Sequence, residues 1–397
     1  LISISDALKR ILLKVNKPET ILISLDQATG FSLAETVKAD RDYPPFHRST
    51  MDGFALKSKD YETGKVFTYQ TEVSAGMKIK LRKGERIVKI MTGAPVPDGL
   101  DTVIKFEDSK DVSQEGNLKM VRFVPTKIKS GQNIAKQGED LRKGQTVISS
   151  GTIINASVIS LLASLGKDKV RVFSPPKVSI VSTGNEVVSI EAKPKPFQIR
   201  DSNSHGLTSF LKKFGITPLS VNLVPDEEPK IQEALKQGLT SEILLITGGV
   251  SMGSLDLIPS VLSKLGVQEI FHKVELKPGK PIWFGRTKSC VVFALPGNPF
   301  SVQVCARLFV EPYIRKFLSL PESSTLNLPI LQSRSKGNKL PEYFPALLEN
   351  NLVTGVLPKK FNGSGDITAG LLSDGIALHP ADKPEIKEGE VLEFLFW

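Results

Sequence analysis

The chain reads as a multidomain α/β plus β protein. It has a central doubly wound α/β domain, an inserted all-β domain, a discontinuous mixed helical segment bracketing that insertion, and a C-terminal β-barrel. Three observations predict this. After the Pro175-Pro176 break, buried strand-like runs alternate with helical periodicity over short connections, as a parallel sheet covered on both faces requires. Between about Asp42 and Asp140 the texture changes to short strand-like runs separated by Gly, Pro and Asp, and helical periodicity returns only afterwards. From about Ser323 the chain reverts to short alternating runs with Gly and Pro turns. The predicted boundaries are 1–41 with 141–174 for the helical segment, 42–140 for the insertion, 175–322 for the α/β domain and 323–397 for the barrel.

Each element has its own signal. A first helix is expected from Ser5 to about Val15, because Ile4, Leu8, Ile11, Leu12 and Val15 share one face. A short helix near Leu25–Leu33 follows. In the insertion, "KVFTYQTEV", "ERIVKIM", "DTVIKFED" and "KMVRFVPTKI" are the expected strands. "NASVISLLASLG" restores a helix, with Asn155 as N-cap and Gly166 as its stop. Beyond Pro176, "KVSIVSTGNEV", "TPLSVNLVPD", "SEILLITGGVSMG" and "SCVVFAL" are strands. "NSHGLTSFLKKFG", "EPKIQEALKQ", "DLIPSVLSKLG" and the run after "LPGNP" are helices.

Composition narrows the function. Forty per cent apolar residues suit a folded protein, and no apolar run approaches the ~18–20 residues that cross a bilayer. The amphipathic N-terminus has no small-residue cleavage site, so no membrane partner and a cytoplasmic location are expected. Net charge is +10, from 52 basic and 42 acidic residues, which favours anionic partners. Aromatic–basic interleaving and nucleic-acid motifs are missing, so a nucleic-acid partner is not expected and a small anion fits. Cys290 and Cys305 read as reduced core residues, and His47, His205, His272 and His379 lack metal-ligand spacing.

Ligands of an open α/β sheet bind outside the carboxyl ends of its strands. Three such ends carry polar, glycine-rich loops: "STGNE" (Ser182–Glu186), "TGGVSMGSLD" (Thr247–Asp256) and "LPGNP" (Leu295–Pro299). Gly248, Gly249 and Gly253 match neither the dinucleotide spacing nor a P-loop. Even so, glycines there let backbone N–H groups approach an anion, alongside their ordinary use in tight βα turns. Asp226 and Asp256 sit at or just beyond strand ends, placed either to hold Mg²⁺ or to cap the helices that follow. "VELKPGKPIWFG" adds Lys277 and Lys280 on a hairpin-like run, point charges suited to phosphate or oxyanions. The insertion contributes "STMDGFA", "MTGAPVPDG" and "QGEDLRKG", glycine turns carrying Asp52, Thr92, Glu139 and Asp140.

Taken in order, "PPFHRSTMDGFA", "MTGAPVPDGLDTVI", "SGQNIAKQGEDLRKG", "STGNEV", "DSNSHGL", "TGGVSMGSLD", "KPGKP", "LPGNPFS" and "GSGDITAGLLSDGIALHP" resemble the MoeA–gephyrin family of molybdopterin molybdotransferases, over nearly the whole chain. The resemblance implies an L-shaped homodimer of four-domain subunits, in which the α/β domain is of the molybdopterin-binding type and the helical segment serves dimerisation. It implies a reaction in which adenylylated molybdopterin and molybdate give AMP and a pterin dithiolene carrying molybdenum, with Mg²⁺ assisting. Because the substrate supplies the metal's sulfur ligands, a protein Cys/His cluster is not required. The implied partners are a second copy, the molybdopterin adenylyltransferase and molybdoenzyme apoproteins.

Carried over by motif, Glu186, Asp226 and Asp256 fall on acidic positions around the nucleotide and Mg²⁺, and Lys277 and Lys280 on the basic pair for molybdate and phosphate. Pro296, Gly297, Asn298 and Pro299 fall on the loop that shapes the pocket. Thr183, Gly184, Gly248, Gly249, Ser251 and Gly253 fall on the pterin-nucleotide loops, and Ser364 on a C-terminal cleft position. Asp52, Thr92 and Asp140 fall on insertion residues that reach the cleft across the dimer. The family commonly has arginine where this chain has Ala135, followed by Lys136, and arginines in the C-terminal domain, where none follows Arg334 here. Competing assignments are an adenylyltransferase, which needs neither the insertion nor the barrel, and a weakly active or scaffolding member of the same family.

Overall fold

The computed structural model describes residues 1–77, 80–115, 118–124, 127–250, 257–350 and 354–397. It divides into two compact units: residues 1–35, 150–162 and 167–397 form one, and residues 36–149 with 163–166 the other.

The larger unit is built on a six-stranded sheet. Its strands are β1 (Val178–Thr183), β2 (Ser220–Val224), β3 (Ile243–Thr247), β4 (Gln268–His272), β5 (Trp283–Arg286) and β6 (Val291–Leu295), in the order β2-β1-β3-β6-β5-β4. Strands β2, β1, β3 and β6 are parallel. The expectation of a parallel sheet is corrected at one edge, where β4 and β5 are an antiparallel hairpin and β5 pairs antiparallel with β6. The connection between β4 and β5 is residues 273–282, which include "KPGKP".

Strand alternation sorts the apolar residues of the sheet onto two faces. Val178, Ile180, Ile243, Leu245, Val291, Phe293 and Leu295 join Leu207, Leu211 and Phe300 from helices Asn203–Lys212 and Pro299–Cys305. Val181, Leu244, Ile246, Val292 and Ala294 join Ile231, Leu235, Ile258 and Val261 from helices Glu228–Gly238 and Leu257–Lys264. Both faces are therefore covered, so β1, β3 and β6 are buried throughout, and β3 and β6 read as near-continuous apolar runs. At roughly 1.5–3 kcal/mol for each buried large aliphatic side chain, these two cores fix the strand ends that carry the loops.

The tail forms an antiparallel five-stranded sheet of β7 (Thr325–Pro329), β8 (Glu342–Asn350), β9 (Thr354–Pro358), β10 (Gly375–His379) and β11 (Val391–Phe396), ordered β7-β11-β10-β8-β9. It curls over Ile330, Phe344, Ala346, Val356, Ala377, Leu392 and Phe394. An Ile330–Val356 bridge links the two edges of this curled half-barrel.

The N-terminal helix is Ile4–Leu12, one residue ahead of the expected start, because Ser3 caps it by accepting from Asp6 N–H at 3.0 Å. The helix expected at 25–33 is only a 3₁₀ turn, Leu25–Gln27. Gly30 takes a positive φ there, and Ser32 and Leu33 instead bridge to Ile153 and Val172. Asn155 does cap its helix, accepting from Val158 N–H at 3.0 Å. In the smaller unit a four-stranded sheet of Gly53–Leu56, Glu72–Val73, Ile87–Ile90 and Thr102–Lys105 accompanies a three-stranded one of Val66–Tyr69, Ser109–Glu115 and Leu118–Phe123. No helix of the described residues is long and apolar enough to cross a membrane.

Candidate functional site

The carboxyl ends of β1, β3 and β6 are tied into one web. Thr183, the last residue of β1, donates its hydroxyl to Asp226, which follows β2. The Asp226 N–H donates to Asn185 Oδ1 at 3.0 Å, so the β1 and β2 loops hold each other. Glu186 folds back on Gly184: a Cβ on that glycine would lie 3.1 Å from both carboxylate oxygens.

Gly248 follows β3 at φ +95°, and a Cβ there would lie 2.2 Å from the Thr183 carbonyl oxygen. Glycine is required by both the left-handed backbone and the close approach. On its other side Gly248 meets the β6 loop: its N–H donates to Leu295 O at 3.3 Å, and Gly297 packs against its Cα. The neighbouring Gly249 is also left-handed, at φ +63°. Asn203 fastens the two loops, donating from Nδ2 to Thr247 Oγ1 at 2.8 Å and to Gly297 O at 2.7 Å. Pro299 opens the helix after β6, where its missing N–H costs nothing. Asn298 donates to Ser364 Oγ at 2.7 Å and Phe300 N–H to Ser364 O at 3.2 Å, docking the 363–366 turn onto this loop.

Beside the web lies a cleft of about 630 Å³, lined by Lys277, Lys280, Pro296, Asn298, Arg334, Lys336, Glu342 and Ser364 among others. Four of these are cations and one is an acid. Glu342 is only 5% exposed. It accepts from Arg334 and Asn338 and pairs with Lys277 Nζ at 3.2 Å. Burial pushes its carboxyl up, but the bonds from Arg334, Asn338 and Lys277 outweigh that and hold it below the usual carboxylate range. Such a wall suits a multiply charged oxyanion.

The structure thus brings together Thr183, Gly184, Glu186, Asp226, Gly248, Gly249, Lys277, Lys280, Pro296, Gly297, Asn298, Pro299 and Ser364 along one sheet edge and its adjoining cleft. Ser251, Gly253 and Asp256 lie outside the described residues. Asp52, Thr92 and Asp140 belong to the smaller unit. There Thr92 donates from its N–H at 2.6 Å and its hydroxyl at 2.9 Å to Asp52, holding that exposed carboxyl below its ordinary value. Asp140 N–H donates to Tyr43 O at 3.0 Å. Both cysteines are buried and free of disulfides; burial pushes the Cys290 thiol up to about 12, and the Cys305 thiol up as well, so neither is a reactive thiolate.

Sequence reasoning missed Asn185, Asn203, Arg334, Lys336 and Glu342. For Asn203 a signal existed: a polar side chain opening a helix next to two strand-end loops. Asn203→Ala is expected to free the Gly297 and Thr247 loops from each other and raise the half-saturating concentration of any ligand spanning them by about tenfold, equivalent to ~1.4 kcal/mol. Calorimetric titration checks this; an unchanged affinity would remove Asn203 from the site.

An open α/β sheet with three joined strand-end turns, beside a cleft walled mainly by cations, places the chain in the doubly wound class. Comparison with known proteins makes this particular. Residues 2–166 match the family described as "MoeA N-terminal region (domain I and II)", and residues 179–316 match "Probable molybdopterin binding domain". A Synechocystis protein named molybdopterin molybdenumtransferase is 33% identical, with 94% of each chain covered. One of the same name from Staphylococcus epidermidis is 30% identical, over 99% of this chain and 95% of that one. The crystal structure of the molybdopterin biosynthesis moeA protein from Pyrococcus horikoshii superposes with TM-score 0.84 at 29% identity over the whole of both chains. The chain belongs to the MoeA family of transferases.

Proposed function

We propose that this protein inserts molybdenum from molybdate into adenylylated molybdopterin and releases AMP, with Mg²⁺ assisting. The observation that carries the reading is the continuity of two surfaces: the left-handed glycine turn at 247–249 meets the 296–299 loop, which lines the lysine- and arginine-walled cleft. A pterin nucleotide needs backbone N–H groups for its pyrophosphate, and molybdate needs cations. Neither needs protein thiolates or imidazoles.

Asp226 and the Thr183 hydroxyl fit Mg²⁺, which takes hard oxygen donors and needs only one or two carboxylates beside substrate phosphates. When bound there, Mg²⁺ would withdraw charge from the pyrophosphate. In this reading Glu186 and Asp256 are the remaining acids near the nucleotide, and Lys277 and Lys280 receive molybdate. Ser364 and the 296–299 loop shape the pocket, and Asp52, Thr92 and Asp140 reach a neighbouring copy's cleft in a homodimer. Location in the cytoplasm belongs to the same proposal.

The test is AMP release from adenylylated molybdopterin and Mg²⁺, followed with and without molybdate. Molybdate-dependent release supports the reading; adenylylation of molybdopterin from ATP would replace it with the adenylyltransferase activity. Lys277→Ala is expected to raise the half-saturating molybdate concentration about tenfold, and an unmoved titration would take Lys277 out of the role.

A further inference from the structure

We propose that Glu342 is the positioning residue of Lys277, holding its ammonium against the cleft wall at the end of a relay that begins at buried His379. The inference rests on the function proposed above and assigns how its oxyanion site is kept in register.

Lys277 lies in the connection between β4 and β5, with half of its side chain exposed. A free lysine there would sample many rotamers, and ordering it at each binding event costs up to ~2 kcal/mol. The structure orders it beforehand. Lys277 N–H donates to Pro341 O at 2.9 Å and Tyr343 N–H donates to Lys277 O at 2.8 Å, so the backbone bridge sets residues 277 and 342 side by side. Across that bridge the Lys277 Nζ meets Glu342 Oε2 at 3.2 Å.

Glu342 is itself fixed. Arg334 and Asn338 donate to its two oxygens. The Arg334 guanidinium lies over the Phe344 ring at 4.2 Å, and its Nη1 is 2.7 Å from His379 Nδ1. His379 is wholly buried, and its Nε2 sits 2.9 Å from Lys383 O. A carbonyl only accepts, so Nε2 carries the proton and Nδ1 is the acceptor that receives Arg334. Each link orients the next: His379, Arg334, Glu342, Lys277.

An exposed ion pair usually gains little, since two mobile chains must be ordered to make it. Here one partner is buried and held by two other donors, Arg334 and Asn338, so only the lysine is left to order. The charge count also matters. Arg334 neutralises Glu342, so the ammonium's charge remains available to an incoming oxyanion. A carboxylate whose sole effect was to cancel cleft charge would predict the reverse: its removal would tighten molybdate binding.

The experiment compares wild type with Glu342→Gln, which keeps the shape but loses the charge and one of the two acceptor oxygens, and with Glu342→Asp, which keeps the charge. We expect the Gln variant to need about tenfold more molybdate for half-saturation. The rate at saturating molybdate and the half-saturating pterin nucleotide should stay within about twofold of wild type, with the Asp variant in between. Unchanged or tighter molybdate use by the Gln variant overturns the inference. So does a parallel loss of all three quantities, which marks a purely structural role. If Gln does not fold, the Asp variant carries the same comparison.

Calorimetric titration of molybdate alone into the same proteins separates the two levels. Weaker molybdate binding by the variant, without AMP release from any protein, leaves the positioning role standing and sinks the proposed function. Molybdate-dependent AMP release that the variants leave untouched does the opposite.

Discussion

Gly248→Ala is expected to reduce molybdate-dependent AMP release by at least about a hundredfold and to lower the thermal stability of the α/β domain. The residue sits at φ +95°, where an alanine pays ~1–2 kcal/mol in backbone energy alone. Its Cβ would also arrive 2.2 Å from the Thr183 carbonyl oxygen, 3.2 Å from the Thr183 carbonyl carbon and 3.2 Å from Thr183 Cγ2. That oxygen is main chain of a buried central strand, so it cannot swing aside. The 247–249 turn must move instead, and Gly297 packs on its far side. Because Thr183 also donates to Asp226, the disturbance reaches three of the loops that form the site. A shift of about 1 Å in a positioning loop suffices for a hundredfold loss. AMP release and a melting curve on the same preparation measure both effects; a variant with wild-type turnover would show that the turn is not where the nucleotide lies.

The second large effect is expected from Arg334→Ala. This change strands Glu342 in a buried position with Asn338 and the half-exposed Lys277, and strips the cation from the Phe344 face and from His379. Breaking a buried ion pair from one side typically costs ~3–5 kcal/mol, because the other charge is left uncompensated. Denaturant unfolding of the variant against wild type measures it. The effect depends on pH. The folded carboxyl of Glu342 is held below its ordinary value, so the stability it contributes is complete above that value, near 4.5, and is lost as pH falls through the depressed folded one. Without Arg334 the folded value rises towards or above the ordinary one, so the part of the acid loss due to Glu342 shrinks and the variant's deficit against wild type should narrow as pH falls below about 4.5. A deficit that does not narrow there would mean that Arg334 does not hold Glu342.

Much of the sheet was legible because its signals are local. The apolar positions of β1, the apolar runs of β3 and β6 and the glycines that follow lie within a few residues of one another, and their patterning and punctuation need no tertiary knowledge. The β4–β5 hairpin was read only as a hairpin-like lysine run, because residues 273–282 separate its strands and leave no two-residue turn to mark the pairing. The helix expected at 25–33 gave way once Gly30 turned left-handed and Leu33 found a strand partner far along the chain in Val172. The site divides the same way. Lys277 and Lys280 stand out between prolines and a glycine. Glu342, Arg334 and His379 do not, since nothing near them in sequence announces a bridge to residue 277. Asn203 was quoted within "DSNSHGL" but its two acceptors, Thr247 and Gly297, are set only by the order of strands in the sheet.

The proposed reaction requires the strand-end turns and the cationic cleft to form one continuous binding surface. A crystal structure of the protein soaked with adenylylated molybdopterin tests that most directly. The pyrophosphate is expected over the Thr247–Gly249 turn, with the pterin thiolates directed along the 296–299 loop towards Lys277 and Lys280. Nucleotide density elsewhere on the molecule, with this edge of the sheet left bare, would contradict it.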